Sequence, residues 1–404
     1  MRVKIEKAVA SGKVFAPPSK SMAHRLLICS ALCEGESQVN GISSCEDVLA
    51  TLSCMKSLGI DYKLNKKDVT VFGKKLQGVS PTSFLDCRES GSTLRFMLPI
   101  ALLTGKTITF QGAKSLMQRP MAVYQNICKE KNLDYISDGN TITVKGPITH
   151  GEYTVVGNVS SQFISGLLFV LPLLNGDSRI RILPPIESRS YIEMTRQAQK
   201  MFDVNSEWED EHTLFIKGNQ KYKPCNVQVE GDYSGSAFIH ALNLFGGNVN
   251  VQGLNEKSIQ GDAVYPKYYE MLKIGVPTIH IGDCPDLGPI LFAIASAKNG
   301  GVFSGTKRLK IKESDRATAM AEELKKFGTS VTVCEDKVVV YPIDFHKPTQ
   351  PINSHNDHRI AMSCAILLTM TGGEILGAEC VNKSYPEFFE HLKQLGVGVS
   401  EYED

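Results

Sequence analysis

The sequence predicts a mixed fold of helices and strands, of the α/β (α+β) class, arranged as two lobes with three copies of one unit in each. Two observations carry this prediction. A segment that opens with small polar residues and continues as a strongly apolar helix occurs six times in the 404 residues. An amphipathic helix followed by alternating strands lies after each of these segments. Six copies of a helix–strand–helix–strand–strand unit suit two lobes of three.

The apolar helices are expected to be buried, because they are apolar on all faces. They are predicted in residues 19–32, 90–105, 160–176, 234–247, 285–301 and 357–373. The amphipathic helices are expected to cover sheets, and they are predicted in residues 46–59, 119–132, 190–202, 265–275, 314–328 and 384–396. The last of these begins with a predicted capping box between Ser384 and Glu387. The fourth copy is the short one.

The composition shifts near residues 219–229, which predicts a crossover between lobes, and a second crossover is predicted near residues 8–18. The first strand would then belong to the C-terminal lobe. We therefore assign residues 1–18 and 226–404 to a C-terminal lobe and residues 19–225 to an N-terminal lobe, with a cleft between them.

Composition excludes several classes of protein. Lys and Arg total 44 against 43 Asp and Glu, so the basic excess typical of nucleic-acid binders is missing. The 11 cysteines form no C-x-x-C pair, and we expect reduced core thiols in a cytoplasmic protein. The apolar stretch 163–174 is too short to span a bilayer, which predicts no membrane association. The chain lacks the glycine-rich phosphate motifs of ATP and NAD enzymes and metal-ligand spacing of histidines, so we expect no cofactor and no metal.

The starts of the apolar helices predict sites for small anions. A helix N-terminus offers free N–H groups and a partial positive charge, although Ser and Gly there also serve as ordinary caps. Cationic side chains at helix starts oppose the macrodipole, so an anionic ligand explains them better than helix stability does. These cations are Lys20, Arg25, Arg95, Arg119, Lys312, Arg316, Arg359 and Lys383. Arg95 lies one turn inside its helix and is expected to serve packing or a buried ion pair.

Motifs over the whole chain resemble those of the EPSP synthase family, the 3-phosphoshikimate 1-carboxyvinyltransferases. They occur in the family's order and read P-S-K-S-M-A-H-R (18–25), E-S-G-S-T-L-R (89–95), Q-R-P (118–120), S-S-Q-F (160–163), S-R-S-Y-I (188–192), E-G-D (230–232), C-P-D-L (284–287), K-E-S-D-R (312–316), N-D-H-R-I-A-M (356–362) and N-K-S-Y-P (382–386). The resemblance implies the enolpyruvyl transferase fold, with three βαβαββ units in each lobe. It also implies transfer of the enolpyruvyl group of phosphoenolpyruvate (PEP) to the 5-hydroxyl of shikimate 3-phosphate, with release of phosphate.

The resemblance further implies the residues of the site. Shikimate 3-phosphate would contact Ser21, Arg25, Ser160, Ser161, Gln162, Ser188, Tyr191, Asp286 and Lys312. PEP would contact Lys20, Gly91, Arg119, Gln162, Arg316, Arg359 and Lys383. Asp286 and Glu313 are the acid and base candidates, with Lys20 beside Glu313. The N-terminal lobe would thus be the shikimate 3-phosphate side, and the C-terminal lobe would be the PEP side with the catalytic Lys, Glu and Arg.

Two residues depart from the family pattern. Glu89 stands where many members have Asn, and Arg308 stands where some have Asn, so neither is assigned a contact. Three alternatives stay open from the residues alone. UDP-N-acetylglucosamine enolpyruvyl transferases share the fold and donor, but they carry a Cys before the R-P pair, whereas residues 113–119 here contain none. A phosphate-binding scaffold and an RNA-end-modifying relative are disfavoured by the paired acids and the absence of basic excess. We expect a monomer.

Overall fold

The computed structural model describes residues 1–77 and 82–403. The chain forms two compact units, which we call the C-terminal unit (Met1–Pro17 with Gly231–Asp404) and the N-terminal unit (Pro18–Glu230). The boundaries predicted from the sequence lie after residues 18 and 225. Each unit has a hydrophobic core of its own.

The described residues contain thirteen α-helices. They are α1 (Lys20–Ala31), α2 (Glu46–Ser57), α3 (Gly91–Leu103), α4 (Lys114–Met117), α5 (Ala122–Glu130), α6 (Ser161–Val170), α7 (Arg189–Met201), α8 (Tyr233–Ala241), α9 (Tyr265–Ile274), α10 (Gly288–Ala297), α11 (Arg316–Lys326), α12 (His358–Thr371) and α13 (Phe388–Gln394). Short 3-10 helices lie at Leu171–Leu173, Leu242–Phe245, Gly261–Val264, Pro285–Leu287, Lys307–Ile311 and Ala378–Lys383.

The same residues contain 22 strands. They are β1 (Arg2–Ile5), β2 (Ser11–Phe15), β3 (Gly35–Asn40), β4 (Asp61–Asn65), β5 (Asp68–Gly73), β6 (Phe84–Asp86), β7 (Thr107–Gln111), β8 (Asp134–Ser137), β9 (Thr141–Lys145), β10 (Gly151–Val156), β11 (Ser178–Leu183), β12 (Glu207–Trp208), β13 (Thr213–Ile216), β14 (Asn226–Gln228), β15 (Asn248–Gln252), β16 (Thr278–His280), β17 (Gly301–Ser304), β18 (Thr329–Val333), β19 (Lys337–Pro342), β20 (Ile352–Asn353), β21 (Gly373–Leu376) and β22 (Val399–Tyr402).

The described residues form six small sheets, of which five repeat one topology. Five have four strands, with one parallel pair followed by two antiparallel pairings, as in β6-β7-β9-β8 and β16-β17-β19-β18. The sixth sheet contains only the parallel pair β15-β2, and it belongs to the short fourth copy. The first strand β1 lies between β21 and β22, so the chain begins in the sheet that also contains its last strand. The predicted mixed fold with six repeats is confirmed.

The six apolar helices are α1, α3, α6, α8, α10 and α12, and nearly all of their residues are buried. Three of them begin with a serine that caps the helix: the side chains of Ser19, Ser90 and Ser160 each accept a hydrogen bond from a backbone N–H of the first turn. The predicted burial follows from the lack of a polar face. No helix in the described part of the chain is both long and apolar enough to cross a membrane.

Two predicted helix starts are wrong. Ser384 ends the 3-10 helix Ala378–Lys383, so it cannot cap the amphipathic helix, and α13 begins only at Phe388. Arg119 lies in the short link between α4 and α5, and α5 begins at Ala122. In both places a turn of helix precedes the predicted start, and its hydrogen bonds fix the residues that the local pattern assigned to the next helix.

A buried hydroxyl group supplies a hydrogen bond that is missing within α3. Pro99 lies inside this helix and has no N–H, so the carbonyl of Arg95 lacks its usual i+4 donor. The hydroxyl of Tyr124 on α5 donates to that carbonyl at 2.7 Å. Gly166 on α6 leaves room for this contact, because a Cβ there would lie 2.2 Å from the Tyr124 hydroxyl. The packing of α3, α5 and α6 therefore depends on one tyrosine.

Replacing Tyr124 by Phe should destabilise the protein by about 1–3 kcal/mol, because the buried carbonyl of Arg95 would lose its donor. The free energy of unfolding in urea measures the effect. Tyr341→Phe is the matched control, since that side chain is 50 % exposed and its change should stay within about 0.5 kcal/mol. Equal effects in the two variants would contradict the proposed role of the Tyr124 hydroxyl.

Candidate active site

In the C-terminal unit, three cations surround one carboxylate. Asp286 lies in the 3-10 helix Pro285–Leu287 that leads into α10. Its Oδ1 accepts from Arg316 Nη1 at 2.7 Å and from Lys312 Nζ at 3.2 Å, and its Oδ2 accepts from Arg359 Nη2 at 3.1 Å. The sequence separates these residues by up to 73 positions, and the fold brings them together.

Arg316 holds the carboxylates of this cluster together. It is the first residue of α11 and only 1 % exposed. Its guanidinium bonds the carboxylates of Asp286, of Glu313 at 2.6 Å and of Asp357 at 2.9 Å. Asp357 is also the N-cap of α12, where its side chain accepts from Arg359 N. One buried guanidinium thus fixes the starts of three helical segments.

The charges set the protonation states of the cluster. Burial alone would raise the pKa of Asp286, but Arg359, Lys312 and Arg316 hold it well below its usual value. Burial lowers the pKa of Lys312, and Asp286 partly offsets that change. The pKa of Arg316 is raised despite its burial, because Asp357, Glu313 and Asp286 favour the cation. Asp286 is therefore an ionised carboxylate, able to accept a proton.

The remaining predicted cations of this unit join the same cluster. Arg359 also donates through Nη1 to the carbonyl of Asp286 at 3.2 Å. Lys383 is buried at the end of the 3-10 helix Ala378–Lys383, and its Nζ donates to the carbonyl of Asn356 at 2.6 Å. Asn356 has a positive φ of 53° and lies directly before the capping Asp357. Lys383 is thereby held against the start of α12.

In the N-terminal unit, Arg25 is a buried cation with neutral partners. It is 2 % exposed and donates to Thr195 Oγ1 at 2.8 Å and to the carbonyls of Ser21 and Tyr191 at 2.6 and 3.0 Å. The guanidinium also lies over the ring of Phe96, with 5.2 Å to the centroid. Burial lowers the pKa of Arg25 to about 10, so it stays charged at neutral pH. No carboxylate in the described residues forms an ion pair with it.

A second cationic cluster of this unit lies at the start of α3. A Cβ on Gly91 would lie 2.8 Å from Arg119 Nη1 and 3.6 Å from Arg95 Nη1, so the glycine leaves room for the two guanidinium groups. Arg95 donates to Gln162 Oε1 at 2.7 Å, and Gln162 Nε2 donates to Ser92 Oγ at 2.9 Å. The structure thus joins Gly91, Arg119 and Gln162 through Arg95, which the sequence had assigned to packing or an ion pair.

The other predicted residues of the N-terminal unit lie at helix starts. Lys20 is the first residue of α1 and pairs with Asp47 at 2.8 Å. Ser160 caps α6, and Ser161 is the buried first residue of that helix. Ser188 is buried with a φ of 56° immediately before α7, whose third residue is Tyr191.

Several partners of these residues have no signal in the sequence. Asp47 and Asp357 are acids that hold predicted cations, and only their three-dimensional pairing identifies them. Of the two residues that depart from the family pattern, Arg308 is buried and donates to the carbonyl of Gly282. Glu89 follows Arg88, whose guanidinium pairs with Glu46.

One group of three possible metal ligands occurs in the described residues, formed by Glu322, Glu323 and His355. The carboxylate of Glu323 is already engaged. It accepts from Lys326 Nζ at 2.7 Å, from Asn353 N at 2.9 Å and bonds His355 Nε2 at 2.9 Å. This network ties α11 to the loop that leads into α12.

Comparison with known proteins identifies the family. The sequence profile of EPSP synthase (3-phosphoshikimate 1-carboxyvinyltransferase) matches residues 4–276 and 267–392. The 3-phosphoshikimate 1-carboxyvinyltransferase of Clostridium perfringens (strain 13) is 39 % identical over 95 % of this chain and 96 % of the relative, and that of Clostridium acetobutylicum is 40 % identical over 99 % and 98 %. A solved structure of EPSP synthase from Acinetobacter baumannii shares the fold, with a TM-score of 0.79 at 23 % identity over 99 % of this chain and 100 % of that one. The chain therefore belongs to the EPSP synthase (3-phosphoshikimate 1-carboxyvinyltransferase) family.

Proposed function

We propose that this protein transfers the enolpyruvyl group of PEP to the 5-hydroxyl of shikimate 3-phosphate and releases phosphate, a step of the shikimate pathway towards aromatic amino acids. The observation that carries the proposal is the carboxylate of Asp286 in contact with Lys312, Arg316 and Arg359. A base among fixed cations suits a reaction in which a hydroxyl loses its proton beside two anionic substrates. The names of the curated relatives agree with this activity.

Arg25 supports the binding of an anionic acceptor by the N-terminal unit. A buried guanidinium surrounded by neutral acceptors retains an uncompensated positive charge, which a phosphate or carboxylate neutralises favourably. We assign the acceptor to Arg25 with Ser21, Ser160, Ser161, Gln162, Ser188 and Tyr191 from this unit, and to Asp286 and Lys312 from the other.

PEP carries a carboxylate and a phosphate, and it needs several cations. We assign it to Arg119, Gly91, Gln162 and Lys20 together with Arg316, Arg359 and Lys383. The small Gly91 supports this choice, because a Cβ at this position would lie 2.8 Å from Arg119 Nη1 and would crowd the guanidinium at the start of α3. Backbone N–H groups at that start add further donors for an anion.

The proposed chemistry is addition followed by elimination. The PEP methylene takes a proton from Glu313, assisted by Lys20, and the acceptor oxygen forms a bond to the neighbouring carbon while its proton passes to Asp286. Phosphate then leaves while the Glu313 carboxylate takes back a methyl proton, which restores the double bond, and Asp286 gives its proton to the released phosphate. In the free protein Glu313 pairs with Arg316. A PEP anion that competes for this guanidinium would weaken the pair and raise the proton affinity of Glu313.

A cytoplasmic location and a monomeric state belong to the same proposal. All 11 cysteines are free thiols, which suits a reducing compartment. Phosphate release from PEP, measured with shikimate 3-phosphate and separately with UDP-N-acetylglucosamine, tests the activity. We expect release with the first acceptor only, and release with the second acceptor alone would contradict the proposal.

Replacing Arg119 by Ala should weaken PEP binding by about 2–5 kcal/mol and acceptor binding much less, because a charge-assisted pair to the PEP carboxylate is lost. Calorimetry with each ligand measures the two affinities. Lys114→Ala is the matched control, since Lys114 is an exposed cation of the adjacent helix α4. Equal losses for PEP and acceptor would reject the assignment of Arg119.

The acceptor should raise the affinity of the protein for PEP. Gln162 is assigned to both ligands, so a bound acceptor is expected to favour the side-chain conformation that also binds PEP. Titration of PEP with and without shikimate 3-phosphate checks this. Tight PEP binding that does not change when the acceptor is added would disprove the expected order.

Asp286→Asn and Glu313→Gln should each lower turnover by about 10²- to 10⁴-fold, the usual loss for a general base or acid. Both amides keep the shape of the carboxyl, and affinity for the anionic acceptor should not fall, because each change removes a negative charge. Turnover and acceptor affinity are measured for both variants. Glu322→Gln on α11 is the control, as that carboxylate is 60 % exposed. Near-normal turnover in either variant would show that the replaced carboxylate has only a structural role.

A further inference from the structure

A second carboxyl group lies buried in the surroundings of Asp286. Asp262 belongs to the 3-10 helix Gly261–Val264, directly before α9, and is 2 % exposed. Its Oδ1 has no hydrogen-bond partner among the described residues. Buried carboxyl oxygens are nearly always bonded, so an unpartnered one needs a physical reason.

The position of this carboxyl is fixed by the residue two places before it. The Gln260 side chain accepts from Tyr233 N at 3.0 Å and donates through Nε2 to the carbonyl of Gly231 at 2.8 Å. These two backbone groups flank Asp232, the N-cap of α8. The loop that carries Asp262 is therefore attached to the start of α8 and cannot move independently of it.

The groups that interact electrostatically with Asp262 include one cation and two acids. They come from four surrounding segments and are Asp286, Asp232, Arg359, Ser234, Cys284 and Tyr269. Burial raises the pKa of Asp262 to about 7, and the charge of Asp286 adds to the rise, while Arg359 and Ser234 oppose it. Since Arg359 already bonds Asp286, it compensates only one of the two carboxylates fully.

The two carboxyls therefore lose their protons separately. Asp286 contacts three cations and ionises first. Asp262 has no such contact in the described residues and holds its proton until near neutral pH. Once Asp262 is ionised, its negative charge makes a proton on Asp286 more favourable.

We propose that Asp262 is a positioning residue of the active site whose charge sets the strength of Asp286 as the base for the acceptor hydroxyl. The inference rests on the proposed function. In the transfer step the hydroxyl proton moves to Asp286 while the hydroxyl oxygen bonds the PEP carbon. The three cations weaken Asp286 as a base, and an anionic Asp262 restores part of that basicity. Asp262 itself touches neither substrate nor reacting atom.

The test compares pH profiles of Asp262→Asn and of the wild-type protein. Asn has nearly the shape of a protonated Asp, so this variant stays in the low-pH state at every pH. In the wild type, kcat/KM for shikimate 3-phosphate should rise through an ionisation near pH 7. In Asp262→Asn this rise should be absent, and kcat/KM at alkaline pH should be lower by on the order of tenfold. The KM for PEP should not increase.

Asp283→Asn is the matched control, because it makes the same change at an exposed acid three residues before Asp286. It should retain the wild-type profile. Substrate phosphates titrate in a similar range, but the same substrates are used with all three proteins. An Asp262→Asn profile that coincides with the wild type would overturn the proposal. The proposal would also be overturned if Asp262→Asn lowered kcat/KM equally at every pH and lowered the unfolding temperature, because that result would show a structural role alone.

A second measurement does not depend on how well the variant folds. Carboxyl-selective infrared spectra of the wild type, without substrates, should show a carboxylic acid that loses its proton near pH 7. Absence of that band would overturn the proposal even if Asp262→Asn does not fold. A wild type that shows the band but releases no phosphate from PEP would contradict the proposed function, whereas an active wild type without the band contradicts only the role of Asp262.

Discussion

The C-terminal unit depends on the ion pairs of one buried guanidinium. Arg316 begins α11 with its charge against the helix dipole, and it is almost fully removed from water. Such a cation is stable only with anionic partners of good geometry, and Asp357, Glu313 and Asp286 supply them. These partners lie at the starts of different helical segments. The ion pairs of Arg316 therefore hold the starts of three helical segments together. The cluster that we assign to catalysis is therefore also what fixes the backbone around it.

The two units stabilise a buried guanidinium in different ways. Arg316 has its anions within the protein, whereas Arg25 has two carbonyls and a hydroxyl. A buried cation with neutral partners retains its attraction for a ligand, and one that is already paired binds a new anion only by exchange. We therefore expect the N-terminal unit to bind an anion without rearrangement, while an anion bound at Arg316 must displace a carboxylate. That displaced carboxylate is Glu313 or Asp286, the two groups to which we assign proton transfer.

The sequence predicted the repeat and named candidate residues for the site, but it did not predict the pairing of charges. Apolar helices such as α3 and α12 are recognisable because burial on all faces needs no polar residue, and this information is local. The family motifs supplied the candidate residues. The partnership of Lys20 with Asp47 joins residues 27 positions apart, and no periodicity encodes it. Asp262 lies outside the motifs that carried the resemblance, and only its burial without a partner draws attention to it.

Helix capping and anion binding are compatible functions of one serine. The sequence left two interpretations of the polar helix starts open, a cap or a ligand site. Ser160 shows why they need not exclude each other: its oxygen accepts from the backbone N–H of Gln162 at 3.3 Å, which satisfies the helix. A hydroxyl group has a donor as well as its acceptor lone pairs. The Ser160 donor points to Gln162 Oε1 at a long 3.5 Å, so a phosphate oxygen would be a better acceptor. The cap holds the oxygen in place, and the proton of the same hydroxyl remains available to a substrate.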